Sequence, residues 1–161
     1  MTVYGFDEQR EVGEQGAGFL DDYFMRYYKG RLSIYRTNSH DDRSGIDRIF
    51  RDHRTNELFG VEYKTDRKSS ITRKVFIETV SVDHPRKDGW AHTAQASELV
   101  YFLPIQKRIF ATTLDAVRQH LKAWEQEYGV RPSWNNGYRT WGIPVPIDVF
   151  ACICHELPYN V

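Results

Sequence analysis

Two short segments of the chain carry residue types that could bind a divalent metal ion beside a positive charge. Asp47 lies in G-I-D-R-I-F-R-D at 45–52, and Glu62 and Lys64 lie in F-G-V-E-Y-K-T-D at 59–66. Alternate side chains of a strand share a face, so Glu62 and Lys64 would project together. Two carboxylates could hold a hard cation such as Mg²⁺ or Mn²⁺, and the ammonium group could stabilise an anionic phosphodiester.

These side chains converge only if the two segments form neighbouring strands. A turn near Arg54 and Thr55 would fold the second segment back on the first. A register that pairs Asp47 with Glu62 would then bring the carboxylates and Lys64 together. A strand with Glu and Lys on one face is more often a solvated face with cross-strand ion pairs, so the upstream Asp47 is what favours a functional site.

Two helices are predicted, one before these segments and one well after them. The first is indicated by apolar residues at near-helical spacing, and Gly30 could end it. These residues are Val12, Phe19, Tyr23 and Tyr27. The second helix is clearer, because Thr113 can cap its start and Gly129 can end it. Its apolar stripe is Leu114, Val117, Leu121, Trp124 and Tyr128.

Further segments are predicted to be strands. The strand-like segments are 31–36, 74–81, 98–104 and 108–113. A short helix is predicted around 91–97, after a segment rich in turn-forming residues. The tail at 131–150 ends in a proline-interrupted apolar run, which predicts packing at a sheet edge rather than a central strand.

Length and composition indicate one globular domain. The chain has 161 residues, of which 40% are hydrophobic, enough for a core without disulfides or structural metal. No basic segment precedes an apolar core at the N-terminus, and no apolar run has membrane-spanning length. We therefore expect a cytoplasmic protein with no membrane partner. Cys152 and Cys154 lie too close together to suggest a disulfide framework, which fits a reducing compartment.

Charge is balanced overall but clustered locally. The 22 basic and 22 acidic residues cancel, which argues against a protein that coats nucleic acid through bulk charge. A basic cluster directly beyond Lys64 could nevertheless contact the phosphates of a nucleic acid. Its members are Arg67, Lys68, Arg73 and Lys74. The alternative is a solvated loop between strands, because short charge runs are common on protein surfaces.

The tail also contains aromatic residues among polar and basic ones. The aromatic residues are Trp134, Tyr138 and Trp141, and their neighbours include Arg131, Asn135, Asn136 and Arg139. Such a mixture could stack on unpaired bases while holding phosphates. It could also pack the tail onto the core or form a dimer contact, and packing is the interpretation that the sequence favours.

The arrangement of Asp47 and Glu62-Tyr63-Lys64, with a helix before it and a helix and strand after it, resembles the PD-(D/E)XK nuclease superfamily, also called restriction-endonuclease-like. The resemblance implies an α/β fold with a mixed central β-sheet flanked by α-helices. It also implies that Asp47 and Glu62 bind Mg²⁺ or Mn²⁺ and that Lys64 is the basic catalytic residue. Ile46 stands where the motif has proline, which lowers the specificity of the match.

The resemblance covers roughly residues 11–113, and the helix and tail at 114–161 would complete a single domain over 1–161. It suggests further site residues, each with a plainer alternative. The backbone carbonyl of Tyr63 could be a third metal ligand. Glu14 could be an extra acidic residue in the first helix. Glu78 could be a further metal ligand or an outward-facing residue. Gln95 could contact a phosphate or a water molecule, or be a surface group.

Three other segments are similar to small uncharacterised nuclease-like proteins of phages and mobile elements. They are F-I-E-T-V-S at 76–81, D-G-W at 88–90 and A-Q-A-S-E-L-V-Y-F at 94–102. Taken together, the resemblance implies a Mg²⁺-dependent deoxyribonuclease, with DNA as its partner and a homodimer if both strands are cut. The alternative is a catalytically silent protein of nuclease fold that binds nucleic acid or serves in assembly.

Overall fold

A computed structural model of the chain describes residues 6–38, 40 and 43–161. Residues 1–5, 39, 41 and 42, which the single-domain prediction includes, lie outside the described part. The described helices are α1 (Phe6–Tyr27), α2 (Ser69–Thr72), α3 (Trp90–Thr93), α4 (Leu114–Tyr128) and α5 (Ile147–Ala151). The described strands are β1 (Leu32–Arg36), β2 (Arg48–Asp52), β3 (Leu58–Thr65), β4 (Lys74–Asp83), β5 (Arg86–Asp88), β6 (Glu98–Leu103), β7 (Arg108–Thr113), β8 (Arg131–Trp134), β9 (Arg139–Pro146) and β10 (His155–Leu157).

Within the described residues, six strands form a mixed sheet in the order β1-β2-β3-β6-β7-β10. Strands β3 and β6 pair in parallel, and the other neighbours pair antiparallel. A parallel pair needs a crossover connection, which residues 66–97 supply with α2, β4, β5 and α3. The predicted fold class, an α/β protein with a mixed central sheet and flanking helices, is confirmed.

Helix α1 covers one face of this sheet. The core between them contains Leu20, Tyr23 and Phe24 of the helix and Phe50, Val61, Tyr63, Val100, Phe102 and Ile109 of the strands. Because Val61 and Tyr63 point toward α1, the alternation of β3 directs Glu62 and Lys64 to the opposite face. The packing of α1 therefore decides which side of the sheet can carry the predicted site.

Gly16 allows α1 to lie close against β3. A Cβ atom at this position would overlap the side chain of Thr65. Glycine inside a helix costs about 1 kcal/mol relative to alanine. The close approach to Thr65 gives a packing reason for glycine at this turn of the helix.

A second sheet, in the order β5-β4-β9-β8, covers the other face of the central sheet together with α4 and α5. The core on this side includes Val75, Ile77, Leu99, Leu103, Phe110, Leu114, Val117, Trp124, Ile143, Val145 and Phe150. The sequence did not predict this sheet. It encloses the face to which Glu62 and Lys64 project.

The prediction that the proline-interrupted tail packs at a sheet edge is wrong for β9 as a whole, which lies between β4 and β8, but it holds for the half that contains the prolines. Strand β8 pairs with residues 139–142 of β9, whereas Pro144 and Pro146 lie opposite Phe76 and Lys74 of β4. The prolines therefore occupy the half of β9 that lies beyond its pairing with β8. Proline is tolerated where a strand is locally an edge, because it cannot donate a ladder hydrogen bond.

Helix α4 confirms the clearest helix prediction. The side chain of Thr113 caps it by accepting a hydrogen bond from the N–H of Ala116, and the helix ends before Gly129. The two strands predicted before it are confirmed as β6 and β7, which form an antiparallel pair. None of the described helices is both long enough and apolar enough to cross a lipid bilayer.

Candidate active site

Asp47 directly precedes β2 and is held against the part of β3 that carries Glu62. The antiparallel register of the two strands pairs Arg48, the first residue of β2, with Val61. The main-chain N–H of Asp47 donates to the carbonyl of Val61 at 3.0 Å, and its carboxylate accepts a hydrogen bond from the N–H of Tyr63 at 2.7 Å. The predicted antiparallel pairing of the two segments is confirmed, and the Asp47 carboxylate is held against β3 by the hydrogen bond from Tyr63.

Glu62 and Lys64 form an ion pair on the face away from α1. The Nζ atom of Lys64 lies 2.5 Å from Oε1 of Glu62, which is only 4% exposed. Burial alone would lower the pKa of Lys64, but the carboxylates of Glu62, Asp47 and Glu78 outweigh burial and raise the pKa. The ammonium also lies 5.7 Å from the centre of the Trp90 ring. Lys64 is therefore held in its cationic form.

The second carboxylate oxygen of Glu62 is the least satisfied polar atom of the cluster. Its Oε2 atom is buried and has no hydrogen-bond partner among the described residues. A buried acceptor without a partner costs about 1–3 kcal/mol, and more when it is charged. A hard divalent cation would satisfy this oxygen, because such ions prefer carboxylate and carbonyl oxygens. The carboxylates of Glu62 and Asp47, which both interact with Lys64, therefore form a donor set that fits Mg²⁺ or Mn²⁺.

A third carboxylate reaches the same cluster from the second sheet. Glu78 lies at a bulge of β4, where the register against β9 shifts between Glu78 and Val80. Such bulges redirect side chains and are common beside active sites. Burial raises the pKa of Glu78, while Lys64 and the main-chain N–H of Trp90 lower it and Glu62 raises it. These interactions place Glu78 in one charge cluster with Glu62 and Lys64.

An ion-pair network that the sequence reasoning missed connects α1 to Asp47. The Nε atom of Arg48 lies 3.0 Å from both carboxylate oxygens of Asp21, and its Nη1 atom donates to the main-chain carbonyl of Asp47 at 2.8 Å. The hydroxyl of Tyr63 donates to Asp21 at 3.2 Å. Asp21 is thus the acid of α1 that contacts the residues around the site. Nothing in the sequence marks it, because only the fold shows that Asp21 and Arg48 meet.

The segment at 90–96 holds the turn that precedes Asp47. The N–H of Gln95 donates to the carbonyl of Ser44 at 2.9 Å, and the N–H of Ala96 donates to the carbonyl of Gly45 at 3.3 Å. Residue 45 has a φ of +72°, a conformation that glycine adopts without strain. These contacts fix the entry of the chain into β2.

Arg118 of α4 fixes the same segment from the other side. Its guanidinium donates to the carbonyl of Ala91 at 3.1 Å and to that of Ala94 at 2.5 Å. The carbonyls at a helix end lack partners within the helix, so Arg118 caps the end of α3. Helix α3 begins with Trp90, whose ring lies beside Lys64. Arg118 therefore links α4 both to the segment that holds the turn before Asp47 and to the helix that carries Trp90.

Two of the further predicted site residues lie in plainer surroundings. Glu14 is exposed on α1 and pairs with Arg10 at 2.9 Å. The side chain of Gln95 is exposed, and the residue lies beyond α3, which ends at Thr93. The helix predicted around 91–97 is therefore wrong in its bounds, because the chain turns extended after one turn to bond the segment before β2.

The predicted basic cluster is exposed around α2. Its residues are Arg67, Lys68, Arg73 and Lys74. The predicted loop contains one helical turn, which Asp66 stabilises by accepting a hydrogen bond from the N–H of Ser69 at 3.0 Å. Since β3 leads directly into α2, these four cations follow Lys64 along the chain.

Two features of the described residues bear on the site. No group of three or more His, Cys, Asp and Glu side chains has an arrangement suited to holding a metal ion. A cavity of about 600 Å³ lies on the α1 side of the sheet, lined in part by Phe24, Phe50 and Val61. The candidate site is therefore separate from this cavity, and a metal there would rely on few protein ligands.

No protein-family model matches the chain, and no curated protein matches it. Among solved structures, the fold is similar to that of the bacterial homing endonuclease I-Ssp6803I. The chain has a nuclease-like fold. The two proteins are 16% identical, the TM-score is 0.50, and the similarity covers 68% of this chain and 72% of that chain. At this identity the comparison concerns the nuclease-like architecture alone.

Proposed function

We propose that the chain is a divalent-metal-dependent nuclease of the PD-(D/E)XK superfamily that hydrolyses phosphodiester bonds in DNA. The observation that carries this proposal is the buried carboxylate of Glu62, which has Lys64 on one oxygen and no partner among the described residues on the other. Asp47 is held against the same strand by its hydrogen bonds with Val61 and Tyr63, and it would supply a second ligand. The similarity to a homing endonuclease supports the nuclease-like fold on which such a site would be built.

The proposed metal site uses oxygen ligands from two strands. The carboxylates of Asp47 and Glu62 would hold Mg²⁺ or Mn²⁺, with the main-chain carbonyl of Tyr63 as a third ligand. When bound, the ion would neutralise phosphate charge and help deprotonate the attacking water. Glu78 would add negative charge near the ion from the second sheet rather than a third carboxylate ligand. A site with few protein ligands suits Mg²⁺, which usually keeps several waters.

Lys64 would act on the scissile phosphate. In the hydrolysis, a water oxygen forms a bond to phosphorus and the bond from phosphorus to the leaving oxygen breaks. The ammonium could orient the water or stabilise the negative charge on the phosphate oxygens. Its raised pKa supports the second role, because Lys64 then stays cationic at neutral pH.

DNA is the proposed substrate because four exposed cations follow the strand that carries Glu62 and Lys64. Arg67, Lys68, Arg73 and Lys74 lie around α2, directly after the strand that carries Glu62 and Lys64. Such residues bind phosphates irrespective of sequence. If both strands of a duplex are cut, a homodimer would place two sites on one substrate.

The second candidate function is a silent nuclease-fold protein that binds nucleic acid or a partner without cutting. Two observations favour it. The Glu62–Lys64 ion pair is already formed, and no suitable group of three metal-binding side chains occurs among the described residues. In that case Lys64 would serve only to neutralise a buried carboxylate.

Cleavage of a DNA panel tests the proposal. The panel contains supercoiled plasmid and labelled single-stranded, duplex and branched oligonucleotides, each incubated with Mg²⁺, Mn²⁺ or EDTA. We expect metal-dependent cleavage of at least one substrate, and a loss of about 100-fold or more in Asp47→Asn and in Lys64→Met. Asp22→Asn, which removes an exposed carboxylate of α1, is the matched control and should cut at the wild-type rate.

The outcomes separate the two candidate functions. Cutting by Asp47→Asn at the wild-type rate would show that the active site lies elsewhere. DNA binding without cleavage in both metals, across the whole panel, would favour the silent protein. Circular dichroism of each variant confirms that a lost activity does not reflect a lost fold.

A further inference from the structure

The hairpin of β8 and β9 carries a stack of side chains that the proposed chemistry does not use. Across the hairpin Trp134 pairs with Arg139 and Pro132 pairs with Trp141, so the four side chains share one face. The guanidinium of Arg139 lies 5.1 Å from the centre of the Trp134 ring and 5.4 Å from the centre of the Trp141 ring. The arginine is therefore layered between two indole rings.

Asp83 fixes Arg139 in this stack. The Nε atom of Arg139 lies 2.5 Å from one carboxylate oxygen of Asp83, and its main-chain N–H donates to the other at 2.9 Å. The carboxylate neutralises the guanidinium, which makes Arg139 a weak ligand for a phosphate. What the stack offers instead is flat, rigid, largely apolar surface.

Trp134 leaves much of that surface open. Its side chain is 47% exposed, whereas Trp90 and Trp124 are 8% and 3% exposed. The packing role that the sequence favours for these aromatic residues therefore leaves Trp134 largely exposed to solvent. Exposed aromatic rings beside cationic groups are the surfaces on which unpaired bases stack.

The hairpin begins beside the candidate site and extends away from it. Trp141 precedes Gly142, which lies opposite Glu78 in the second sheet. At the far end, Asn135 accepts a hydrogen bond from the side chain of Gln9 of α1 at 3.0 Å. The stack thus runs from the neighbourhood of Glu78 toward the N-terminal part of α1.

We propose that Trp134, Arg139 and Trp141 form a stacking platform for unpaired DNA bases next to the active site. The assignment of DNA rests on the proposed function, but the platform itself rests on the geometry of the hairpin. It would receive nucleotides of a strand that is unpaired near the cleaved bond, so the protein should prefer single-stranded or branched DNA to plain duplex.

Fluorescence anisotropy in EDTA measures binding without cutting. The probes are a labelled single-stranded oligonucleotide and the same strand annealed to its complement. We expect Trp134→Ala to weaken single-strand binding by roughly 10-fold, since stacking on one aromatic ring contributes on that order. Trp134→Phe retains a ring and should keep most of the affinity. Tyr35→Ala is the matched control, because Tyr35 is also 47% exposed but lies on β1.

Duplex binding is expected to change little in Trp134→Ala, because paired bases are already stacked on each other. The inference is overturned if Trp134→Ala binds the single strand as tightly as wild type, if it loses as much affinity for duplex, or if wild type binds no single strand. Cleavage with Mg²⁺ and Mn²⁺ is measured separately. Cleavage by wild type, with single-strand binding that does not depend on Trp134, would remove this inference alone. Single-strand binding that depends on Trp134, without any cleavage, would remove the nuclease proposal alone.

Discussion

The ammonium of Lys64 lies 2.5 Å from one oxygen of the Glu62 carboxylate, while the other oxygen is buried with no partner among the described residues. Lys64 therefore pairs with only one of the two carboxylate oxygens of Glu62. A buried carboxylate in this state favours a second cation, because each unpaired charged oxygen has lost its hydration. The proposed metal site follows from this asymmetry.

The first prediction concerns the stability of the pair itself. Lys64→Met should lower the free energy of unfolding by about 1–3 kcal/mol, because it leaves the Glu62 charge buried without a counter-charge. In the double variant with Glu62→Gln, much of this loss should be recovered, since no charge remains to be neutralised. Urea denaturation of the four proteins in EDTA gives the coupling energy. Additive effects of the two substitutions would show that the ion pair contributes nothing.

The second prediction concerns pH and Glu78, whose pKa is raised by burial above its ordinary value of 4.5. Below pH 4.5 this carboxyl is neutral in the folded and in the unfolded chain. As the pH rises from 4.5 through the raised pKa, the unfolded chain loses its proton first, so the folded state loses stability. Glu78→Gln is neutral at every pH and escapes this loss.

The free energy of unfolding of Glu78→Gln should therefore increase relative to wild type as the pH rises from 4.5, and the difference should become constant above the raised pKa. Urea denaturation at a series of pH values in EDTA measures this difference. A difference that is constant or shrinks over this range would contradict the burial of Glu78.

The third prediction concerns Arg118, which caps α3 without contacting Glu62 or Lys64 in the hydrogen bonds and ion pairs we observe. Arg118→Gln should release the segment that bonds the turn before Asp47. Amide hydrogen exchange at Gln95 and Ala96 should then become faster. Lys122→Ala, an exposed cation of the same helix, should leave these amides unchanged. Unchanged protection in Arg118→Gln would show that the segment holds its position without the arginine.

The fourth prediction uses three glycines of α1 as matched sites. Gly16→Ala should destabilise the protein by about 1–3 kcal/mol, because its Cβ would overlap Thr65. Gly13→Ala and Gly18→Ala meet open space and should each stabilise it by about 0.5–1 kcal/mol through helix propensity. Thermal denaturation compares the three variants. Equal effects at all three positions would contradict the close packing of α1 on β3.

Local patterns predicted those parts of the fold that depend on neighbours in sequence. Helix α4 was predictable because its cap and its apolar stripe lie within a single short segment. The antiparallel pairing of the segments that carry Asp47 and Glu62 was predictable because β2 and β3 are joined by a short turn. In both cases the information lies within about twenty residues of the element, where turn and periodicity rules apply.

Parts that depend on distant residues were not predictable. Strand β4 pairs with β9, and the Thr79 hydroxyl bonds the Trp141 carbonyl 62 residues away. The ion pair of Arg48 with Asp21 spans 27 residues and has no local signature. The unpaired oxygen of Glu62 is a property of the folded packing alone. Sequence could propose that Glu62 acts in a site, but only the fold shows what its carboxylate lacks.

The metal site itself is the central claim, and a crystal of the protein soaked in Mn²⁺ tests it most directly. Anomalous diffraction locates Mn²⁺ independently of how the side chains are interpreted. The account predicts a peak between Asp47 and Oε2 of Glu62, roughly 2 Å from oxygen atoms of both carboxylates, and its loss in Glu62→Gln. The absence of a peak there at saturating Mn²⁺, or a peak that persists unchanged in Glu62→Gln, would contradict it.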